Sequence, residues 1–208
     1  MTERGKFIVF EGGEGSGKST QARLLQGYFK ESGISSTQIR EPGGSPTAEK
    51  IREIIINPEI ERLPETEFLL FSAARVELFK RVVIPNLELG IHVLSDRNYL
   101  SSIVYQGYVK GVPLELIDYI NRVLTEGNKP DLTFIFDVPV EEGLASKVGA
   151  ERNRFEDEGP EFHERVRRGY LEMVGKTENC VLIERGNRNA EEIYEEVKGH
   201  VRERLSIG

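Results

Sequence analysis

With 208 residues, 38% of them hydrophobic and 30% charged, the chain can bury one sizeable core, and we expect a single domain over residues 1–208. A formal net charge of −7 argues against a general nucleic-acid binder, and no run approaches the roughly 18 apolar residues that a membrane-spanning helix requires. The single cysteine excludes an internal disulfide and favours a reducing, cytoplasmic setting.

Apolar, β-prone runs alternate along the chain with segments of helical periodicity. This alternation predicts an α/β fold in which a parallel five-stranded sheet is flanked by helices on both faces, giving three layers. Ligands of such sheets bind beyond the carboxyl ends of the strands, so the polar residues that follow each strand are candidate site residues. The predicted strands cover residues 7–10, 37–39, 91–94, 132–136 and 181–183.

The stretch from Gly12 to Thr20 fits the pattern G-x-x-x-x-G-K-[ST] at each fixed position, between a predicted strand and a predicted helix. Its glycines let successive backbone N–H groups form a concave anion site, to which the helix N-terminus adds its dipole. Lys18 is placed to reach the β and γ phosphates of a triphosphate, and Ser19 to ligate Mg²⁺. An accidental glycine-rich turn is the alternative. The predicted phosphate-binding residues are Gly12, Gly13, Glu14, Gly15, Ser16, Gly17, Lys18, Ser19 and Thr20.

Two arginines between the second and third predicted strands are candidates for binding an anionic acceptor. Arg40 directly follows the second predicted strand and enters a Pro/Gly turn, where the alternative is an ordinary turn residue. Arg75 interrupts the apolar stripe of a helix that begins near Pro64, so it must reach solvent or find a partner. Phe71, one turn earlier, offers a face on which a base can stack. The alternative is a core phenylalanine beside an arginine that reaches solvent.

The third predicted strand is followed by a second group of candidates. Asp96 follows the strand closely, and an acidic residue at the end of a strand in a P-loop protein commonly helps to hold Mg²⁺. If the next segment is helical, Arg97, Ser101 and Tyr105 recur every fourth residue and share one face. A guanidinium, a hydroxyl and a phenol on one face suit a phosphorylated ligand, whereas a solvated helix face is the alternative.

A polar, glycine-bounded loop follows the fourth predicted strand. It covers about 148–160 and contains Arg152 and Arg154, and Pro160 is predicted to open the next helix. Such a loop can act as a lid whose arginines close over transferring phosphates, and solvated loop charge is the alternative. Residues 185–189, after the last strand, lie beside the expected position of an adenine, without a specific base-reading pattern.

Three classes of function are compatible with a P-loop. A GTPase switch is suggested by N-K-x-D at residues 128–131, but here this motif precedes a strand, and no aspartate has a glycine three residues later. A module that binds ATP without transferring phosphate leaves Arg75 and Arg97 unexplained. A kinase for a small phosphorylated acceptor uses both the P-loop and the arginines Arg40, Arg75 and Arg97. Two anion sites at one sheet edge bring the donor and acceptor phosphates together.

The motifs in their order resemble those of the bacterial thymidylate kinases. The match extends over most of the chain. It is carried by Phe10 to Thr20, Arg40 to Gly44, Leu70 and Phe71 with Arg75, Asp96 and Arg97 through Gly107, and Phe136 to Pro139.

The resemblance implies a P-loop kinase that converts ATP and dTMP to ADP and dTDP with Mg²⁺; another nucleoside monophosphate kinase is the alternative. It implies that Glu14 contacts the 3′-hydroxyl of the acceptor and that Phe71 stacks on thymine. Arg97 then clamps the acceptor phosphate, and Tyr105 crowds a ribose 2′-hydroxyl. The implied dTMP-binding set is Glu14, Arg40, Phe71, Arg75, Arg97, Ser101, Ser102, Tyr105 and Gln106.

The same resemblance implies a lid-arginine type of enzyme. Family members carry a catalytic arginine either in the P-loop or in the lid, and here Gly15 stands at the P-loop position, so Arg154, or otherwise Arg152, is the implied substitute. The implied catalytic set is therefore Lys18, Arg97, Arg154, Arg152 and Glu14. Ala74 departs from the family by removing a carboxylate that often precedes Arg75. Homodimers are usual in the family, and we expect one here.

Overall fold

The computed structural model describes residues 3–146, 155 and 158–207, and a parallel sheet forms its centre. Its strands are β1 (Phe7–Gly12), β2 (Ser36–Arg40), β3 (His92–Asp96), β4 (Leu132–Asp137) and β5 (Cys180–Glu184). The strand order is β2-β3-β1-β4-β5, and each hydrogen-bonded neighbour is parallel. The predicted strands are confirmed: β1, β2, β4 and β5 are each extended by one or two residues, whereas β3 begins one residue later and ends two residues later than predicted.

Helices pack on both faces of this sheet because neighbouring strand residues point to opposite sides. The α-helices of the described residues are α1 (Lys18–Glu31), α2 (Pro46–Ile56), α3 (Pro64–Leu78), α4 (Ile84–Glu88), α5 (Tyr99–Ser102), α6 (Leu114–Leu124), α7 (Val140–Ala145), α8 (Pro160–Val174) and α9 (Ala190–Leu205). Ile8 and Phe10 of β1 pack with α1 and α9, whereas Phe7 and Val9 pack with the segment from α3 to α4. A third cluster joins α5 and α8 beside Ile135.

One predicted helix differs from the observed geometry. Arg97 is not helical: it has a φ of 71°, and α5 begins two residues later at Tyr99, with the Asn98 side chain accepting a hydrogen bond from the Tyr99 N–H. Beyond α5 the backbone continues as a π-helical segment, Ile103–Val109. Arg97 therefore reaches Ser101 and Tyr105 from the loop before the helix, and a shared helix face is the wrong description.

The N-K-x-D tetrapeptide is part of the framework. Asp131 accepts a hydrogen bond from the Phe7 N–H at 2.7 Å, and Asn128 accepts one from Arg4 at 2.9 Å. Both contacts lie where β1 begins, whereas the P-loop follows the end of β1. These side chains fix the start of a strand and are remote from the nucleotide-binding edge. Among the described residues, no helix combines the length and the apolar character needed to cross a membrane.

Candidate active site

A cavity of ≈ 620 Å³ opens at the carboxyl ends of β1, β2 and β3. Its wall includes the P-loop, the turn after β2, part of α2, Phe71 of α3, the start of the segment after β3, and the loop between β5 and α9. The topology explains this convergence, because all the strands are parallel and their following loops meet at one edge. Donor-side and acceptor-side candidates therefore share a single cavity.

Hydrogen bonds within the P-loop hold the Lys18 side chain at the cavity wall. Gly17, with a φ of 92°, precedes α1 directly, so the helix N-terminus faces the cavity. The Lys18 ammonium donates to the Gly13 carbonyl and, at 3.1 Å, to Ser16 Oγ. Burial lowers the pKa of Lys18 to about 8, and the nearby positive charge of Arg97 acts in the same direction. The phosphate-binding lysine and the acceptor-side arginine are thus electrostatic neighbours.

Gly15 is required by the close approach of α7. A Cβ at this position would lie 1.9 Å from the Gly143 carbonyl oxygen, and the φ of Gly15 is +66°. A larger residue would therefore push α7 away from the P-loop or distort the loop backbone. An arginine cannot occupy this position of the P-loop without such a shift.

Ser19 and Asp96 meet at the mouth of the P-loop. The Ser19 hydroxyl donates a hydrogen bond to Asp96 Oδ2, and both residues line the cavity. A hydroxyl oxygen beside a carboxylate is a donor set that suits Mg²⁺, which binds few protein oxygens and completes its shell with phosphate and water. The two predicted metal ligands thus have the chemistry and the proximity that such an ion requires.

Arg97 joins the P-loop to the acceptor side. Its guanidinium donates to Glu14 Oε1 at 2.5 Å, to the Gly12 carbonyl at 3.0 Å and to Tyr170 Oη at 3.1 Å. The same group lies 5.4 Å from the centroid of the Tyr105 ring. Three of the predicted residues, Arg97, Glu14 and Tyr105, are therefore brought together.

Glu11 supports this arrangement from within the protein. It is fully buried, and it accepts hydrogen bonds from the Asn98 N–H at 2.8 Å, Ser101 Oγ at 2.7 Å and Tyr170 Oη at 2.9 Å. Burial raises the pKa of Glu11, and the charge of Arg97 opposes that shift. The sequence reasoning assigned a role to neither Glu11 nor Tyr170. The position of Glu11 at the end of a buried strand, like that of Asp96, could have marked it as a candidate site residue.

Arg75 is buried beneath the acceptor side of the cavity, and the cavity-lining residues do not include it. Its guanidinium donates to Glu41 Oε2 at 2.8 Å, Asn121 Oδ1 at 2.8 Å and Ser102 Oγ at 3.1 Å. Burial raises the pKa of Glu41 to about 6, against the charge of Arg75. Glu41 thus supplies the carboxylate that is missing at Ala74. Direct contact between Arg75 and the acceptor stays a prediction.

Aromatic side chains form the walls of the acceptor end. The Phe155 ring lies 6.2 Å from that of Phe71 and 5.8 Å from that of Tyr105, measured between centroids, and all three residues line the cavity. Ser102 and Gln106 line it at the deeper end and are each 1% exposed. A slot with flat aromatic walls and a polar end suits a nucleobase.

Two arginines lie at the outer rim of this slot. Arg40 forms an ion pair with Glu49 at 2.9 Å, and its side chain is 55% exposed. It therefore lies at the rim of the cavity, and its contact with an anionic acceptor stays a prediction. Arg52 also lines the cavity and donates to the Pro42 carbonyl at 2.9 Å. The sequence reasoning missed Arg52, because it lies inside an amphipathic helix and does not follow a strand.

Comparison with known proteins assigns the family. The model of the thymidylate kinase family matches residues 10–197 of the chain. The chain belongs to this family. The thymidylate kinase of Carboxydothermus hydrogenoformans is 42% identical over 197 residues, which cover 94% of this chain and 96% of that protein. The thymidylate kinase of Caldanaerobacter subterraneus subsp. tengcongensis is 42% identical over 87% of this chain and 88% of its own length.

A solved thymidylate kinase has the same architecture. The crystal structure of the Ehrlichia chaffeensis thymidylate kinase has a TM-score of 0.74 and 32% identity to this chain, with coverage of 94% of this chain and 98% of that one. The fold is therefore the P-loop kinase fold, with its five-stranded parallel sheet between helices. The predicted lid arginines of this thymidylate kinase family member, Arg152 and Arg154, lie outside the described residues. On the donor side, Arg185, Arg188 and Asn189 line the cavity.

Proposed function

We propose that the protein transfers the γ-phosphate of ATP to dTMP and produces ADP and dTDP, a step toward dTTP. Membership of the thymidylate kinase family supports this reaction. The observation that carries it is the contact between Arg97 and the P-loop itself, through the Gly12 carbonyl and Glu14. An acceptor phosphate bound by Arg97 would lie next to the phosphates bound at Lys18, as in-line transfer requires.

Most of the predicted site residues have a direct role in this proposal. Lys18 and the P-loop amides hold the transferring phosphate, Arg97 holds the acceptor phosphate, and Glu14 contacts the 3′-hydroxyl. Phe71 stacks on thymine, Tyr105 crowds the ribose 2′ position, and Arg154 or Arg152 closes from the lid. Ser101, whose Oγ lies 3.3 Å from the Arg97 guanidinium, keeps that group in place, and Arg40 adds positive potential at the rim.

Mg²⁺ is the metal that the donor set fits. We propose that Ser19 and Asp96 hold it, directly or through water, beside the P-loop. The ion supplies charge neutralisation for the β and γ phosphates. The chain's own residues do the remaining work of aligning the two phosphates and excluding water. We also propose a cytoplasmic setting, in keeping with the single cysteine.

The reaction is tested by offering the purified protein ATP, Mg²⁺ and a panel of nucleoside monophosphates. We expect dTMP to be consumed in preference to dCMP, AMP and GMP, because the family acts on thymidylate and the polar end of the slot is built from Ser102 and Gln106. The measurement is ADP release with chromatographic identification of the diphosphate product. Preference for a purine or cytidine monophosphate would contradict the thymidylate assignment while leaving the fold unaffected.

We further propose that two copies associate through an apolar surface on α3 and α6. This surface consists of Leu69, Ala73 and Val76 on α3 with Leu116, Tyr119 and Val123 on α6. Leu69, Tyr119 and Val123 are 55%, 58% and 54% exposed. The two helices pack against each other, and we propose that these exposed side chains form one patch. Adjacent apolar side chains on neighbouring helices are typical of a homodimer interface.

Replacing Val123 by glutamate is expected to shift the protein to monomer, because it buries a charge in the proposed interface. Analytical ultracentrifugation at micromolar concentration measures the change. Leu89→Glu is the matched control, since Leu89 is 69% exposed at the end of α4 and lies outside the α3–α6 surface. A Val123→Glu protein that sediments like the wild type would remove this surface from the interface.

A further inference from the structure

Two hydroxyl groups lie between Arg97 and the buried carboxylate of Glu11. The Arg97 guanidinium donates to Tyr170 Oη at 3.1 Å and to Ser101 Oγ at 3.3 Å. A guanidinium carries donors only, so each hydroxyl accepts from Arg97 and directs its own proton elsewhere. Glu11 Oε2 lies 2.7 Å from Ser101 Oγ and 2.9 Å from Tyr170 Oη, and a carboxylate is a pure acceptor. Glu11 can therefore take both hydroxyl protons, which leaves lone pairs of both oxygens for Arg97.

The other oxygen of Glu11 holds the backbone that carries Arg97. Glu11 Oε1 accepts from the Asn98 N–H at 2.8 Å and from the Ser101 N–H at 3.2 Å. Arg97 itself has a φ of 71°, a left-handed conformation that is strained for a residue with a Cβ. The Arg97 N–H donates to the Phe10 carbonyl at 2.9 Å. Contacts to two neighbouring residues of β1 thus hold the strained position.

We propose that Glu11 is a positioning residue for Arg97, which holds the guanidinium at the place where it binds the acceptor phosphate. This inference rests on the proposed function. Glu11 is fully buried and is not among the residues that line the cavity, so it acts through other groups. These groups are the hydroxyls of Ser101 and Tyr170 and the backbone that follows Arg97. Because a long side chain loses conformational freedom when it binds a phosphate, fixing the guanidinium beforehand lowers the cost of binding.

The substitution Glu11→Gln keeps the size of the side chain and replaces one acceptor by a donor. The backbone N–H groups of Asn98 and Ser101 only donate, so the amide oxygen must stay with them and the amide nitrogen must face the two hydroxyls. That nitrogen donates to the lone pairs that Arg97 uses in the native protein, and the hydroxyl protons lose their shared acceptor. The variant therefore loosens the guanidinium while every side chain that Arg97 contacts directly is retained.

The test compares dTMP with thymidine, which lacks the phosphate, by titration calorimetry on the full chain. The ratio of the two dissociation constants isolates the phosphate contact, since base and sugar are common to both ligands. We expect Glu11→Gln to reduce the advantage of dTMP over thymidine by about tenfold, the effect of weakening one charge-assisted hydrogen bond. Asp131→Asn is the matched control. The Asp131 carboxylate accepts from the Phe7 N–H at the start of the same strand, away from the cavity, so this variant should keep the wild-type ratio.

The sign of the change distinguishes positioning from simple electrostatics. Removing a negative charge near a phosphate site would by itself strengthen dTMP binding, and general loss of packing would weaken both ligands equally. An unchanged or larger advantage of dTMP in a folded Glu11→Gln protein therefore overturns the proposal.

A second variant covers the case in which Glu11→Gln fails to fold in thermal melts. Tyr170→Phe keeps Glu11 and removes one of the two hydroxyls, so it should reduce the advantage of dTMP by about threefold or more. An unchanged advantage in Tyr170→Phe again overturns the proposal. A wild-type protein that binds dTMP no more tightly than thymidine, or that phosphorylates no dTMP, would instead refute the proposed function, so the two failures are distinguishable.

Discussion

Replacing Arg97 by alanine is expected to lower turnover of dTMP by roughly a hundredfold or more, about 2.7 kcal/mol of transition-state stabilisation. Arg97 is the cation that contacts both the P-loop, through the Gly12 carbonyl, and Glu14. Its loss removes a charge-assisted contact to the acceptor phosphate and leaves the Glu14 carboxylate without that counter-charge. Steady-state assays with dTMP varied at saturating ATP measure the effect.

Two further variants separate catalysis from stability. Arg97 has a φ of 71°, where alanine is strained and glycine is not, so Arg97→Gly should melt at a higher temperature than Arg97→Ala while being equally inactive. Arg40→Ala should lose far less activity, because Arg40 is half-exposed and already paired with Glu49. Near-wild-type turnover in Arg97→Ala would remove Arg97 from the site.

The fold could be predicted because its determinants are local. Apart from β2, each strand contains a short apolar run, and the P-loop marks the junction between β1 and α1 by its own residue types. Pro64 and Pro160 each stand at the first position of a helix, as proline's fixed φ favours. The parallel sheet then follows from the alternation of strands and helices. No long-range information was needed for these features.

The contacts within the site could not be predicted in the same way. Glu11 and Tyr170 are 159 residues apart and meet only because β1 and α8 pack side by side. The sequence left open whether Arg75 reaches solvent or finds a buried partner. Its partners come from three separate segments, at Glu41, Ser102 and Asn121. A helical pattern shows that a buried cation needs partners, but the partners are set by the tertiary fold.

Side-chain orientation is a further limit. The sequence placed Ser102 and Gln106 near the acceptor, yet which end of an amide faces the ligand depends on Glu67, which belongs to another helix. Asp137, at the end of β4, similarly forms a two-point ion pair with Arg167 of α8, at 2.6 and 2.9 Å. Polarity and pairing of this kind are properties of the packed structure. They affect which ligand the site selects more than they affect which fold the chain adopts.

Replacing Lys18 by alanine is expected to have the largest effect on catalysis, a fall in kcat/KM for ATP of about a thousandfold, or about 4 kcal/mol. Its ammonium is held at the P-loop by the Gly13 carbonyl and Ser16, in a position to follow the charge that develops on the transferring phosphate. Lys30→Ala is the matched control, because Lys30 is an exposed lysine in the last turn of the same helix and should leave kcat/KM unchanged.

The pH dependence tests whether the ammonium itself is responsible. Burial lowers the pKa of Lys18 to about 8, so in the free protein the side chain loses its charge as the pH rises through that value. Because kcat/KM reports the free enzyme, it should fall for ATP on the alkaline side of pH 8 in the wild type. In Lys18→Ala the low residual value should not show this decline, because the titrating group is gone. A wild-type profile that stays flat well above pH 8 would contradict either the lowered pKa of Lys18 or the need for its charge in phosphate binding, since a neutral amine cannot offset the triphosphate charge.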